Sequence, residues 1–273
     1  MSYFNFKSKS VYYETQGQGK PIVLLNGIMM STLSWEMFKE VLSVNNQLIL
    51  VDFLDQGRSD KMEETIYTQD IQVEILKALF DELKLTKVNL VGISYGGEVA
   101  LNFSVKYEEY VDNMVLFNTT SKTTPWLKDI GIAWNRSAGD PLDYYCTTIP
   151  VIYSPHFYNA NSEWMNNRKK LLVEKVFNQK PFMDAMVRLT ESADNHDVTK
   201  DLPKIKTPTL IVSCENDYIT PMPEQKRLHD LISTSELIVL PSTGHASMYE
   251  KPVLFVTLVL GFINMVQKKF QIV

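Results

Sequence analysis

The sequence predicts an α/β protein in which a mostly parallel central sheet carries helices on both faces. Three features of the chain point to it. Short apolar, strand-like runs alternate with helix-periodic segments along most of the length. The strand-like runs are uniformly apolar rather than alternating, as strands covered on both faces are. A Gly-x-Ser-x-Gly pentapeptide, Gly92-Ile93-Ser94-Tyr95-Gly96, stands between an apolar run and a helix-like run.

In order, residues 22–25 (Ile-Val-Leu-Leu) form a strand, followed by a helix at 34–42. Residues 48–52 form the next strand. Residues 70–83 place Ile71, Ile75, Leu79 and Leu83 on an i, i+4 stripe, the pattern of a helix packed on a sheet. Residues 88–91 form a strand, and a helix follows the pentapeptide. Residues 111–117, 208–213 and 236–240 are further strands, with helices at 224–231 and 253–266. Residues 121–181 break this rhythm. They are rich in aromatics, including Trp126, Trp134, Tyr144, Tyr145, Tyr153, Phe157, Tyr158 and Trp164, with short helix patterns and no convincing strand. The expected organisation is a core of residues 1–120 and 182–273 with 121–181 inserted as a helical lid over the carboxyl edge of the sheet. A helical subdomain without a role in substrate binding, or an aromatic partner surface, fits the same composition.

The 273 residues are 45% hydrophobic and 22% charged, with a formal net charge of −5. That suits a sizeable soluble core. No lysine or arginine block supplies the clustered positive field that nucleic acid needs. Cys146 and Cys214 match no metal or redox spacing and read as free thiols of a reducing compartment. The amino terminus lacks the pattern of a signal peptide. The apolar stretch 252–266 is shorter than the roughly 20 residues of a membrane span. A cytoplasmic location is expected. Histidines and carboxylates do not cluster at ligand spacings, and no phosphate-binding glycine motif follows a strand, so neither a metal nor a nucleotide cofactor is expected.

The chemistry centres on Ser94. A serine on a sharp strand-to-helix turn has its hydroxyl pushed into a cleft, and a β-carbon at Gly92 or Gly96 would clash as the backbone folds back. A glycine-rich turn with a passenger serine is the alternative. A serine nucleophile needs a base, and the base needs an orienting carboxylate. Of the four histidines, His245 follows a strand and precedes the last helix, which puts it at the same sheet edge as Ser94. His229 reads as a surface residue, His196 as part of a solvated loop, and His156 as a structural residue of the lid. Asp217, on the loop after strand 208–213, is the expected carboxylate, with Glu215 as its competitor on the same loop. The backbone amides of Tyr95, at a helix start, and Ile28, in the Asn26-Gly27 turn after the first apolar strand, are the expected oxyanion donors.

With these residues in place, the chain resembles the α/β-hydrolase superfamily over nearly its whole length. The chain order Ser94, Asp217, His245 is that fold's order. Gly244-His245 leading to Glu250-Lys251-Pro252, the acid loop from Cys214 to Pro221, and the segment from Asp52 to Asp60 all resemble the small lidded members. The resemblance implies a helical lid inserted after the sixth strand. It also implies a serine hydrolase cleaving an ester or thioester of a small, largely apolar acyl substrate. A carbon–carbon bond hydrolase or perhydrolase with the same triad, and a slow-turnover ligand receptor of this fold, are the alternatives. Asn26 stands where the family has a histidine, and Leu54-Asp55 where it has Arg-Gly. If that glycine position needs φ > 0, aspartate is among the residues that tolerate it. Substrate identity and oligomeric state are not legible.

Overall fold

The computed structural model describes residues 2–63 and 66–265. One sheet of eight strands contains β1 (Ser2–Phe6), β2 (Lys9–Gln16), β3 (Lys20–Leu25), β4 (Asn46–Val51), β5 (Val88–Ile93), β6 (Val111–Phe117), β7 (Thr209–Cys214) and β8 (Ser235–Leu240). Their order is β1-β2-β4-β3-β5-β6-β7-β8. From β4 to β8 every pairing is parallel, while β1 pairs β2 and β2 pairs β4 antiparallel. The six parallel strands are those expected from the apolar runs. The two antiparallel ones were not expected, because neither is a run of apolar residues: β1 alternates, with Phe4 and Phe6 buried while Tyr3 and Asn5 face out, and β2 buries only the neighbours Val11 and Tyr12.

The helices are α1 (Lys39–Ser43), α2 (Asp70–Glu82), α3 (Tyr95–Tyr107), α4 (Pro125–Ser137), α5 (Pro141–Ile152), α6 (Pro155–Ala160), α7 (Ser162–Leu171), α8 (Lys180–Ser192), α9 (Met222–Leu231), α10 (Ser247–Glu250) and α11 (Pro252–Asn264). The helix expected at 34–42 is a 3₁₀ stretch, Thr32–Phe38, that widens into α1. Of the final helix expected at 253–266, Val266 lies outside the described residues.

The sheet separates two apolar layers. On one side Val23, Ile49, Leu90 and Leu116 meet Val73 and Leu76 of α2 and Val99 and Phe103 of α3. On the other, Leu24, Leu48, Val91 and Phe117 meet Trp35, Leu42 of α1 and Phe255 and Val259 of α11. Neighbouring residues of one strand therefore enter opposite layers, which is why the runs read as continuously apolar.

Between β6 and β7 lie α4 to α8. Three of these helices start by the same local rule. Thr124, Asp140 and Ser154 each precede a proline, and each side-chain oxygen accepts an N–H of the first turn, at 3.2, 2.8 and 3.1 Å. The proline supplies the helical φ at a position whose N–H would have no partner. Residue 181 falls inside α8, so the helical stretch extends to Ser192. Met183, Met186 and Leu189 bury one face of α8 and hold it as a single element across that position.

Candidate active site

Strands β3, β5, β7 and β8 run parallel, so the loops at their carboxyl ends share one rim of the sheet. Ser94 sits at the end of β5 with φ 52° and ψ −121°. A non-glycine residue held there is strained, and surrounding structure must over-determine it. Ser94 N–H donates to Phe117 O at 3.0 Å, and Thr119 Oγ1 donates to Ser94 O at 2.8 Å. A β-carbon on Gly96 would lie 2.2 Å from Leu25 O, and one on Gly92 would lie 2.6 Å from Gly96 O. The backbone folds back as tightly as the pentapeptide requires.

Asp217 is buried on the loop after β7. Its Oδ1 accepts the N–H groups of Ile219 (2.8 Å) and Thr220 (3.0 Å), and its Oδ2 accepts Thr220 Oγ1 (3.0 Å). That same Oδ2 lies 2.8 Å from His245 Nδ1. His245 is also buried, and its carbonyl accepts Asn118 Nδ2 at 2.6 Å. Glu215 is exposed and accepts Ser242 N–H at 2.7 Å, so the carboxylate against the imidazole is that of Asp217.

The loop after β3 is held by side-chain amides. Asn26 Nδ2 donates to Val51 O (2.8 Å) and Gln56 Oε1 (3.0 Å), and Asn26 Oδ1 accepts Trp35 Nε1 (2.7 Å). Gln56 Nε2 donates to Gly27 O at 2.9 Å. No described peptide bond is cis, so the Ile28 N–H points opposite to that pinned carbonyl. Ile28, Tyr95, Ser94 and His245 line one cavity. Tyr95 is the first residue of α3, so its N–H has no intrahelical acceptor. The Asn26 substitution thus keeps the loop ordered through a different hydrogen-bond set.

The second departure resolves as a variant turn. Asp55 takes φ 71°. Its carboxylate accepts Met62 N–H (2.9 Å) and Tyr67 Oη (2.8 Å), and pairs with Arg188 of α8 through Nη2 (2.6 Å) and Nε (3.0 Å). Burial, above all, pushes the Tyr67 phenol up, which keeps it a donor to Asp55.

The cavity has a volume of about 160 Å³ and runs under α4, α5, α7 and α8, lined mainly by apolar side chains such as Ile130, Trp134, Ile149 and Phe182. A cavity of about 150 Å³ accepts one benzene-sized ligand, so a small group fits. His156 is exposed. His229 is half-buried, with Nδ1 2.9 Å from Ser235 Oγ. His196 is not solvated as its polar neighbours suggested: it is buried, with Nε2 3.1 Å from Thr120 O and Nδ1 3.2 Å from Asn102 Nδ2. The loop folds back on β6, and the imidazole stitches the two together. Both cysteines are free, Cys146 exposed and Cys214 buried. Among the described residues no group of three or more His, Cys, Asp or Glu side chains is placed to hold a metal ion, and no helix is long and apolar enough to cross a membrane.

A family model of the alpha/beta hydrolase fold matches residues 20–252. The chain belongs to the α/β-hydrolase family. MGS-M2, an alpha/beta hydrolase enzyme from a Medee basin deep-sea metagenome library, has a crystal structure that superposes with a TM-score of 0.97. It is 51% identical, over 99% of this chain and 100% of that one. A putative 2-succinyl-6-hydroxy-2,4-cyclohexadiene-1-carboxylate synthase of Bacillus subtilis (strain 168) is 27% identical over 94% of this chain and 96% of its own. The 2-hydroxy-6-oxononadienedioate/2-hydroxy-6-oxononatrienedioate hydrolase of Escherichia coli (strain K12) is 25% identical over 94% and 92%. This α/β-hydrolase also carries a site residue that sequence reasoning quoted but gave no role. Glu250 is buried beside the histidine loop and accepts Gly244 N–H (3.1 Å), Ser154 N–H (2.6 Å) and Ser154 Oγ (2.6 Å). Its spacing after Gly244-His245 was the available signal. Its partner Ser154, 96 residues away, was not visible.

Proposed function

We propose that this hydrolase is a serine hydrolase that cleaves a carboxylic ester or thioester of a small, largely apolar acyl substrate through an acyl-enzyme. The observation that carries the reading is that His245, hydrogen-bonded to Asp217, lines the same cavity as Ser94, which is held at φ 52° on a strained turn. In this mechanism Ser94 Oγ attacks the substrate carbonyl while His245 Nε2 takes its proton. Asp217 holds the Nδ1 proton, which leaves Nε2 free to act as base, and stabilises the imidazolium. The N–H groups of Ile28 and Tyr95 receive the developing oxyanion. His245 then returns the proton to the leaving alcohol or thiol, and a water deprotonated by the same nitrogen releases the acid.

A second reading keeps these groups and changes the bond cleaved. The E. coli relative is named for hydrolysis of a hydroxy-oxo dienedioate, which contains no ester. By the chemistry of that name the corresponding cleavage is of a carbon–carbon bond. Helices α4, α5, α7 and α8 act as the lid in either reading, since their side chains line the cavity.

A fluorophosphonate probe tests the nucleophile. One adduct is expected by intact mass on the wild type and none on Ser94→Ala. No adduct on the wild type, or an equal adduct on both, overturns the reading. Steady turnover of p-nitrophenyl esters set against vinylogous diketones separates the two bond types, and a single burst without turnover points to a receptor.

A further inference from the structure

Five acidic or basic side chains line the cavity, and four of them are already answered. His245 bonds Asp217, and Lys128 pairs with Asp194 at 3.6 Å. Glu98 is buried and accepts Gln69 Nε2. Arg168 is different. Its guanidinium lies over the rings of Trp164 (5.3 Å) and Tyr249 (5.0 Å), which fixes the cation without supplying a negative charge. Its Nε is buried with no hydrogen-bond partner, and among the described residues no ion pair involves Arg168. Beside it, Tyr153 is fully buried, lines the same cavity, and its hydroxyl also has no partner. The Tyr153 oxygen can face the guanidinium as an acceptor, but that leaves its own proton and the buried Arg168 Nε without an acceptor, which is costly unless one arrives.

We propose that Arg168 and Tyr153 form an anion subsite within the cavity, and that the substrate carries a carboxylate at the end remote from the bond that is cleaved. This rests on the hydrolase reading above only in placing the cleaved bond at Ser94. A guanidinium presents a planar fork of N–H groups that suits a carboxylate, whereas a lysine would present a point charge. The apolar wall between the subsite and the sheet rim takes the carbon chain. Burial pushes the Tyr153 phenol up, and although the Arg168 cation works against this, the hydroxyl stays protonated and able to donate. Lys128 cannot play this part, because Asp194 answers its charge.

The test needs no turnover. On the Ser94→Ala background, the dissociation constants of monomethyl succinate, glutarate and adipate are compared by calorimetry with those of neutral methyl esters of matched length. The best-fitting monoester is expected to bind roughly 10- to 100-fold more tightly than its neutral counterpart, the range of a hydrogen-bonded charge. Arg168→Met should remove that margin while leaving the neutral ester within about twofold. Arg168→Lys should keep part of it and shows that the cavity still forms, and Tyr153→Phe should remove a smaller share. Equal affinity for charged and neutral esters throughout the series overturns the subsite, as does an Arg168→Met variant that weakens both alike. Fluorophosphonate labelling reports separately on Ser94, so the nucleophile can fail with the subsite standing, or the reverse.

Discussion

Replacing Glu250 tests how the histidine loop is held. Its carboxylate is buried and accepts three hydrogen bonds, two from backbone N–H groups (Ser154 and Gly244) and one from the Ser154 hydroxyl. Glu250→Ala leaves both N–H groups buried without an acceptor, while the hydroxyl is free to rotate. At about 1–3 kcal/mol per orphaned group, the loss is about 2–6 kcal/mol. Glu250→Gln behaves differently. Its oxygen can take the Oε1 place and keep both backbone donors, with its nitrogen facing Ser154 Oγ, an atom able to accept. The expected cost is about 1 kcal/mol, one net hydrogen bond. In a chain of this size each kcal/mol lowers Tm by about 2–4 °C. Urea unfolding followed by tryptophan fluorescence, with the slope on denaturant unchanged, gives the free energies. Ester turnover gives the second readout. A histidine loop released from Ser154 misplaces the base, so kcat should fall on the order of 100-fold in the alanine variant, with KM moving less. An alanine variant within 0.5 kcal/mol of wild type refutes the reasoning, as does a glutamine variant as damaged as the alanine one.

Asp217→Asn should keep the fold and lose on the order of 10⁴ in kcat. The two backbone N–H groups on Oδ1 hold the amide oxygen there, so the amide nitrogen faces His245 Nδ1 and forces the imidazole proton onto Nε2. A wild-type pH–rate profile with normal kcat would defeat this. Gly96→Ala drives a β-carbon to 2.2 Å from a backbone carbonyl and should give little soluble protein, whereas a β-carbon at Gly139 meets nothing within 4 Å. Gly139→Ala should leave stability within about 0.5 kcal/mol, checked by the same unfolding curves. Iodoacetamide at pH 8 should add once to the native chain, at Cys146, and twice in denaturant. Cys214 is buried, and desolvation pushes its thiol up to about 12. Two rapid adducts on the native chain would contradict that burial.

The parallel strands and the chain order of Ser94, Asp217 and His245 were legible because each depends on local pattern. A doubly covered strand is apolar at most positions, and the candidate residues Ser94 and Asp217 follow such strands, while β8, before His245, is an edge strand read from its apolar run alone. Strand β1 escaped because one face is less covered and only alternate residues need be apolar, and β2 because only Val11 and Tyr12 of its eight residues are buried. His196 was misjudged because its neighbours are polar, while its partners, Thr120 and Asn102, come from segments distant in sequence. The same holds for Gln56 on Gly27, Arg188 on Asp55 and Arg168 between its two rings. None of these pairings has a sequence spacing that announces it. The Asp55 substitution was readable in part, since aspartate tolerates the positive φ that the turn adopts.

The anchors of the rim also carry a temporal consequence. Asn118 meets the His245 carbonyl across 127 residues, Glu250 meets Ser154 across 96, and Arg188 meets Asp55 across 133. Contacts of such high sequence separation form late, after the loops between them have closed. A chain still being synthesised can therefore complete β3 to β6 and seat Ser94 on its turn while the histidine loop has yet to be made. Hydrolytic competence becomes a property of the finished chain alone, and on refolding it should return after helical circular dichroism has recovered.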